Sequence, residues 1–325
     1  MKKTVIFLLL CMALILSSCS FAKQEKTYNQ ALTLLEQQKT EEAFELLTSI
    51  KDYKDSAQLL SNFVYLPERV VTSDYGFGSD TEPVLQVTLY TYDEKGNLLT
   101  YSGTYQDDRG PEFSETHEYT DGKLTRTRAL SEAGDSTITY EYDNNGRIAK
   151  TIGATEGANV GGISLFTYDA NGNCIRKDFT SYHGADTTKY TEENAYHRDT
   201  TTYEYDADGN CTKVSVDYGD NRWSHTAKYD KNGITAIVTL DGDGRQTETT
   251  FSYDTEGNCT KVVTDYETAT FEYDENGLLV ASTHKQGESL LRACTYSFSL
   301  YYLPDGNPNT PVHLSQYLTD LDPLG

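Results

Sequence analysis

Hard cations bind where several carboxylate and carbonyl oxygens converge, and two acidic runs, Asp206-Ala207-Asp208-Gly209-Asn210 and Asp241-Gly242-Asp243-Gly244, have oxygen-rich spacing of that kind. Neither adds the further acidic ligands or the distal Glu of a helix-loop-helix calcium site, and turn chemistry explains both, so no metal is assigned. His117, His183, His197, His225, His284 and His313 fall in no metal-binding or triad spacing, and no Gly-x-Ser-x-Gly, His-Glu-x-x-His or phosphate loop is present. The sequence thus points away from an enzyme and calls for no cofactor. What remains is aromatic chemistry: 26 Tyr and a single Trp could stack on sugar rings. The candidates outside the regular ladder are Tyr75, Phe77, Tyr182, Tyr196, Trp223 and Tyr266. Trp223, flanked by Arg222 and His225 near Gly219-Asp220-Asn221, is the first choice for a binding site, followed by Tyr196 and Tyr182.

The elements that would position these residues repeat. Eight times the chain writes an aromatic, a polar residue, Tyr, usually Asp, and a Gly-containing turn. The copies centre on Tyr92, Tyr119, Tyr142, Tyr168, Tyr205, Tyr229, Tyr253 and Tyr273, with turn glycines Gly96, Gly122, Gly146, Gly172, Gly209, Gly233, Gly257 and Gly277. Recurrence at this interval means an array of small units, each stable only against its neighbours. The segments between turns are short and rich in Thr, Tyr, Val and Ile, which reads as all-β.

In Tyr140-Glu141-Tyr142-Asp143-Asn144-Asn145-Gly146-Arg147-Ile148-Ala149-Lys150, Asp first and Gly fourth are the preferences of a type I turn closed by a left-handed Gly. That register sets Tyr142 opposite Ile148 and Tyr140 opposite Lys150. By the same arithmetic Tyr119 meets Leu124, Tyr168 meets Cys174, Tyr205 meets Cys211, Tyr253 meets Cys259 and Tyr273 meets Leu279. Outer pairs become His117 with Arg126, Phe166 with Arg176, Tyr203 with Lys213 and Phe251 with Lys261. Alternation gathers the aromatics with Leu, Ile or Cys on one face and puts Glu118, Glu141, Glu204 and Glu272 on the other. Cys174, Cys211 and Cys259 occupy the position of Leu98 and Ile148, so they read as small apolar residues and not as disulfide partners: bridged Cα atoms stand within about 7 Å. The expected fold is mainly β, one long antiparallel meander twisted or rolled into a spiral or shell-like sheet.

Around this β-domain (67–303) the chain carries other segments. Residues 27–66 read as helical: Tyr28, Ala31, Leu35 and then Ala43, Phe44, Leu47 and Ile50 keep one apolar face, a third helix is expected from Asp55 to Phe63, and Pro67 marks the end. The pattern Tyr28-x2-Ala31-x3-Leu35 with Glu42-Ala43-x3-Leu47 resembles a tetratricopeptide-like hairpin, which implies a small N-terminal cap. Residues 183–198 read as an insertion, and 304–325 as an extended closing tail. At the start, Met1-Lys2-Lys3 and the apolar run Val5–Leu16 have the form of a signal peptide (1–18). Leu16-Ser17-Ser18-Cys19 resembles a bacterial lipobox. The resemblance implies lipidation of Cys19, a polar tether over 19–26 and a location at the cell envelope, outside the cytoplasm, with the membrane as partner through the anchor.

A formal net charge of −23 argues against nucleic acid and anionic lipid as partners. The run Tyr90-Thr91-Tyr92-Asp93-Glu94-Lys95-Gly96-Asn97-Leu98, with Tyr140 to Ile148, resembles the YD repeat of the Rhs family over roughly residues 88–285. Large members wrap such strands into a hollow shell around a C-terminal toxin; this chain has about eight copies and ends at Gly325 without a toxin-sized domain. The function expected is noncatalytic: a binding or structural surface at the envelope, toward a glycan or a surface protein. The alternatives are an accessory shell component of an Rhs-like toxin or secretion system, or an extracellular hydrolase with no recognisable motif.

Overall fold

The computed structural model describes residues 21–75, 82–105, 113–131, 134–218, 221–230 and 233–303. Cys19 with its signal peptide, Phe77, His313 and the tail 304–325 lie outside the described residues. Two compact units are present: one draws its described residues from Met1–Pro67, Asp93–Asn97 and Phe298–Pro308, the other from Glu68–Tyr92 and Leu98–Ser297.

The first unit is built on helices: α1 runs through residues 21–36, α2 is Thr40–Ser49 and α3 is Ser56–Leu60. Tyr28, Ala31, Leu34, Ala43, Leu47, Ile50 and Tyr53 are buried, as the apolar spacing requires, with Leu34 rather than Leu35 turned furthest inward. The Tyr28 hydroxyl donates to Asp55 Oδ1 at 2.5 Å. The third helix is shorter than the spacing suggests. Phe63-Val64-Tyr65 is β-forming, and a strand begins at Phe63 and continues through Pro67, which precedes the first residue paired to the next strand, Arg69. Phe63 stacks edge-on to Phe44 with centroids 5.1 Å apart and meets Tyr302 at 5.0 Å.

The second unit is an antiparallel sheet, whose first and last strands carry residues Phe63–Pro67 and Phe298–Tyr302 of the first unit. Its strands are β1 (Phe63–Asp74), β2 (Val84–Tyr92), β3 (Leu98–Tyr105), β4 (Phe113–Thr120), β5 (Lys123–Ser131), β6 (Gly134–Tyr142), β7 (Ile148–Thr155), β8 (Val160–Tyr168) and β9 (Cys174–His183). There follow β10 (Ala195–Tyr205), β11 (Cys211–Tyr218), β12 (Asn221–Asp230), β13 (Gly233–Leu240), β14 (Gln246–Tyr253), β15 (Cys259–Val263), β16 (Thr268–Tyr273), β17 (Leu279–Gln286) and β18 (Ser289–Tyr302). Each pairs with the strand before it, and β1 pairs with both β2 and β18. The meander is therefore a closed 18-stranded barrel, not an open spiral. At the seam the Tyr75 amide donates to the Leu291 carbonyl at 2.8 Å.

All eight repeat glycines have positive φ, as the turn reading requires. In the 143–147 turn the Gly146 amide donates to the Asp143 carbonyl at 3.0 Å and the Asp143 amide to Arg147 at 2.8 Å. Every expected inner pair forms, from Tyr119 with Leu124 to Tyr273 with Leu279. The outer pairs do not: Tyr140 faces Thr151, Phe166 faces Lys177, Tyr203 faces Val214, Phe251 faces Val262 and His117 faces Thr127. A β-bulge just before each repeat Tyr inserts one residue on the partner strand and shifts the register. Where that inserted residue is Thr125, Thr212, Thr235 or Thr260, its hydroxyl donates to the carbonyl of the residue preceding the repeat Tyr, at 3.0–3.2 Å.

The bulge also moves the cations. Lys150 and Lys213 lie opposite Glu141 and Glu204, each pair 3.0 Å apart on the charged face, instead of along the aromatic rings. Rings are instead covered from neighbouring repeats: Arg147 lies 4.4 Å from the centroid of Tyr168, and the Lys123 ammonium 5.1 Å from that of Tyr142. A further link joins successive repeats. The repeat Tyr hydroxyl donates to the carbonyl of the first post-turn residue of the preceding copy: Tyr142 to Leu124, Tyr168 to Ile148, Tyr229 to Cys211, Tyr253 to Ile234.

Candidate binding site

Of the residues picked from the sequence, Trp223 and Arg222 line one depression, and Tyr182 and Tyr196 lie elsewhere. Trp223 alternates onto the aromatic face with His225, Ala227 and Tyr229, while Arg222 projects to the charged face and pairs with Asp217 at 3.3 Å. Tyr182, expected to be exposed, is buried, its ring stacked 4.5 Å from that of Tyr190. Tyr190 comes from the insertion, a loop with two short 3-10 turns, Thr187–Lys189 and Glu192–Asn194, and its hydroxyl reaches the Gly153 and Gly184 carbonyls at 3.3 and 3.2 Å. Tyr196 is 51% exposed and stacks on His183. Tyr266 is exposed beside Arg245.

The histidines stay apart as well. His117 contacts Thr127 and His225 contacts Thr239 through Nδ1 at 3.2 and 2.9 Å, while His197 pairs with Asp199 and His284 with Glu267. His117 also meets Glu115 through Nε2 at 3.2 Å, and the four histidines lie on four different strands, so none of these contacts joins two of them. In each of the two acidic runs the first carboxylate is spent on the turn. Asp206 Oδ1 accepts the Asp208 and Asn210 amides at 2.9 Å while Oδ2 accepts Asn210 Nδ2, and Asp241 Oδ1 accepts the Asp243 and Arg245 amides.

What the sequence did not single out is a depression of about 770 Å³ on the charged face, spanning β9 to β13. Register aligns Thr202, Ser215 and Ser224 in one row across three adjacent strands, with Arg176 at one end and Leu240 at the other. Strands stand roughly 4.8 Å apart, so the row offers short hydroxyls at that interval over about 10 Å. Long side chains rise around it: Lys213 on one side of the row, Arg222 and Arg198 on the other. Val216 and Trp223, alternating onto the opposite face, contribute to its floor. The depression exists because three neighbouring positions are small while the flanking ones are long. A hydroxyl row of this kind can exchange hydrogen bonds with a polyhydroxylated chain, and the flanking cations add charge-assisted donors.

Membrane-spanning barrels show an apolar band of about 25 Å on their outer face, and neither face of β10 is continuously apolar. On β10 one face reads Arg198, Thr200, Thr202, Glu204 and the other His197, Asp199, Thr201, Tyr203, Tyr205.

No protein-family model matches the chain, and no curated protein matches it. Among solved structures it is similar to a porin-like protein from Bacteroides uniformis, with 16% identity and a TM-score of 0.41 over 72% of this chain and 96% of that one. A porin-like protein from Bacteroides vulgatus shows 10% identity and a TM-score of 0.36 over 73% and 99%. The TcdB2-TccC3-Cdc42 complex shows 12% identity and a TM-score of 0.28 over 76% of this chain and 17% of that one. Likeness of this strength carries no functional argument.

Proposed function

We propose that this is a noncatalytic protein of the cell envelope, held outside the membrane by acyl chains on Cys19, whose barrel binds a glycan across β9–β13. The observation that carries the reading is the aligned row Thr202, Ser215 and Ser224 beneath a rim of long polar side chains. Glycans are recognised by closely spaced hydroxyls and planar charged groups, and this row supplies them on rigid strands rather than on loops. The polar and ionisable residues on both faces of β10 favour a barrel standing in water over one embedded in lipid, which agrees with an anchor at Cys19.

The test is retention of the full-length protein in native gels containing a panel of soluble polysaccharides. At least one should retard the protein, and Ser215→Trp, which fills the row without touching the turns, should abolish the retardation while leaving the melting curve intact. Absence of retardation across the panel would overturn the reading.

A further inference from the structure

We infer that the glycan taken by this depression is acidic, an extended chain bearing repeated carboxylate groups; the inference rests on the glycan-binding reading above. In a chain of net charge −23, the lining gathers Arg176, Arg198, Lys213 and Arg222 against the single carboxylate of Asp217. Three of the acids that pair with these cations, Asp178, Glu192 and Glu204, stand outside the lining.

The four cations are not equally committed. Arg176 holds Asp178 through two parallel bonds of 2.7 Å, a geometry that fixes both groups. Lys213, Arg198 and Arg222 each hold their acid through a single nitrogen–oxygen contact at the surface, with side-chain exposures of 41%, 55% and 80%. Exposed pairs of this type contribute little and exchange partners readily. These three therefore retain donors for an incoming oxyanion.

Their placement sets the size of the ligand. Lys213 and Arg222 flank the hydroxyl row from opposite sides, because Asp217, four residues along β11 from Lys213, is the register partner of Arg222. At about 3.4 Å per residue and 4.8 Å between strands, their Cα atoms stand on the order of 14 Å apart. An extended chain with acid groups on successive or alternate sugars meets both cations while its hydroxyls cross the row at Ser215 and Ser224. A free sugar acid meets one.

The experiment compares the full-length protein on polygalacturonate, on neutral dextran and on polyglutamate, with Lys213→Gln/Arg222→Gln and, separately, Arg198→Gln as variants of matched melting temperature. Polygalacturonate should be bound at least about tenfold more tightly than dextran, and the double variant should lose about that factor on the acidic polymer alone, a tenfold change being about 1.4 kcal/mol shared between the two cation contacts. Monomeric galacturonate should compete poorly. Equal binding of dextran and polygalacturonate, with Ser215→Trp still blocking both, would overturn the inference and leave the glycan reading standing. Unchanged affinity in both charge variants would overturn it in the same way. Polyglutamate bound as tightly as polygalacturonate would also overturn it, since charge alone would then suffice. Failure of every polysaccharide to bind would remove both readings.

Discussion

The hydroxyl of Tyr205 donates to the main-chain carbonyl of Cys174 at 2.8 Å, and Tyr273 does the same to Cys259 at 2.8 Å. Each bond joins one repeat to the copy before it, so the repeat Tyr acts twice: its ring pairs across its own hairpin and its oxygen reaches the previous one. Removing the oxygen while keeping the ring separates the two roles. Tyr205→Phe should lower stability by about 1 kcal/mol, the net worth of one hydrogen bond, and Tyr205→Ala by about 3 kcal/mol through loss of the ring as well. Urea unfolding with an unchanged m-value reads both, and a Phe variant as stable as the parent would remove the inter-repeat role.

Burial pushes the Tyr205 and Tyr273 phenols up to about 12. A phenol whose folded value lies above its unfolded value of roughly 10 adds stability that is complete below pH ~10 and lost as pH rises toward the folded value. The barrel should therefore weaken between about pH 10 and 12. The check is the phenolate absorbance followed alongside circular dichroism: the buried tyrosines should ionise together with the loss of β-structure, not before it.

At the acid end the sign reverses. The Arg147 amide and guanidinium hold Asp143 below the usual carboxylate range, and Asn210 and Asn258, through side chain and amide, do the same for Asp206 and Asp254. Depressed carboxylates stabilise above their unfolded value of about 3.9 and cease to do so as pH falls through the folded values. Asp206→Asn should flatten the acid limb of a stability-versus-pH curve, measured by urea midpoint from pH 6 downward. An unaltered limb would show that this turn is uncoupled from folding.

A Cβ on Gly161 would stand 1.6 Å from the Tyr190 hydroxyl and 2.6 Å from the Gly153 carbonyl oxygen. The insertion is thus pinned to the barrel by a ring seated over glycine. Gly161→Ala should cost roughly 1–3 kcal/mol by overpacking. Combined with Tyr190→Ala the loss should be less than the sum of the two single losses, because the clash has then lost one of its partners. Additive losses in a double-mutant cycle would place the strain elsewhere.

Trp223→Ala should weaken polysaccharide retention less than Ser215→Trp, because Ser215 stands in the hydroxyl row while alternation turns the Trp223 side chain to the opposite face, leaving it only a share of the floor. A complete loss of retention in Trp223→Ala would move the site to the aromatic face.

The turns, the inner pairs and the two-faced strands were legible because Asp, Gly and the aromatic each have a local preference that repeats. The outer pairs were not, because a bulge leaves no fixed residue type behind it. The one available trace, Thr at 125, 212, 235 and 260, is an ordinary strand residue until its hydroxyl is seen to serve the displaced carbonyl. Closure was hidden for a different reason: nothing local in β1 or β18 marks them as partners. The depression was legible only in part: Trp223 and Arg222 line it, but its small residues, Thr202, Ser215 and Ser224, align only once the shifted register is known.

The seam between β1 and β18 joins Thr72 to Cys294, 222 residues away. A chain emerging from its amino end must hold every intervening hairpin with both outer margins of the growing sheet bare until the final strand arrives. Those margins are the natural place for a neighbouring copy or a chaperone to attach. Once the ring is complete the opportunity disappears, so newly made and mature molecules should differ most in what they adhere to.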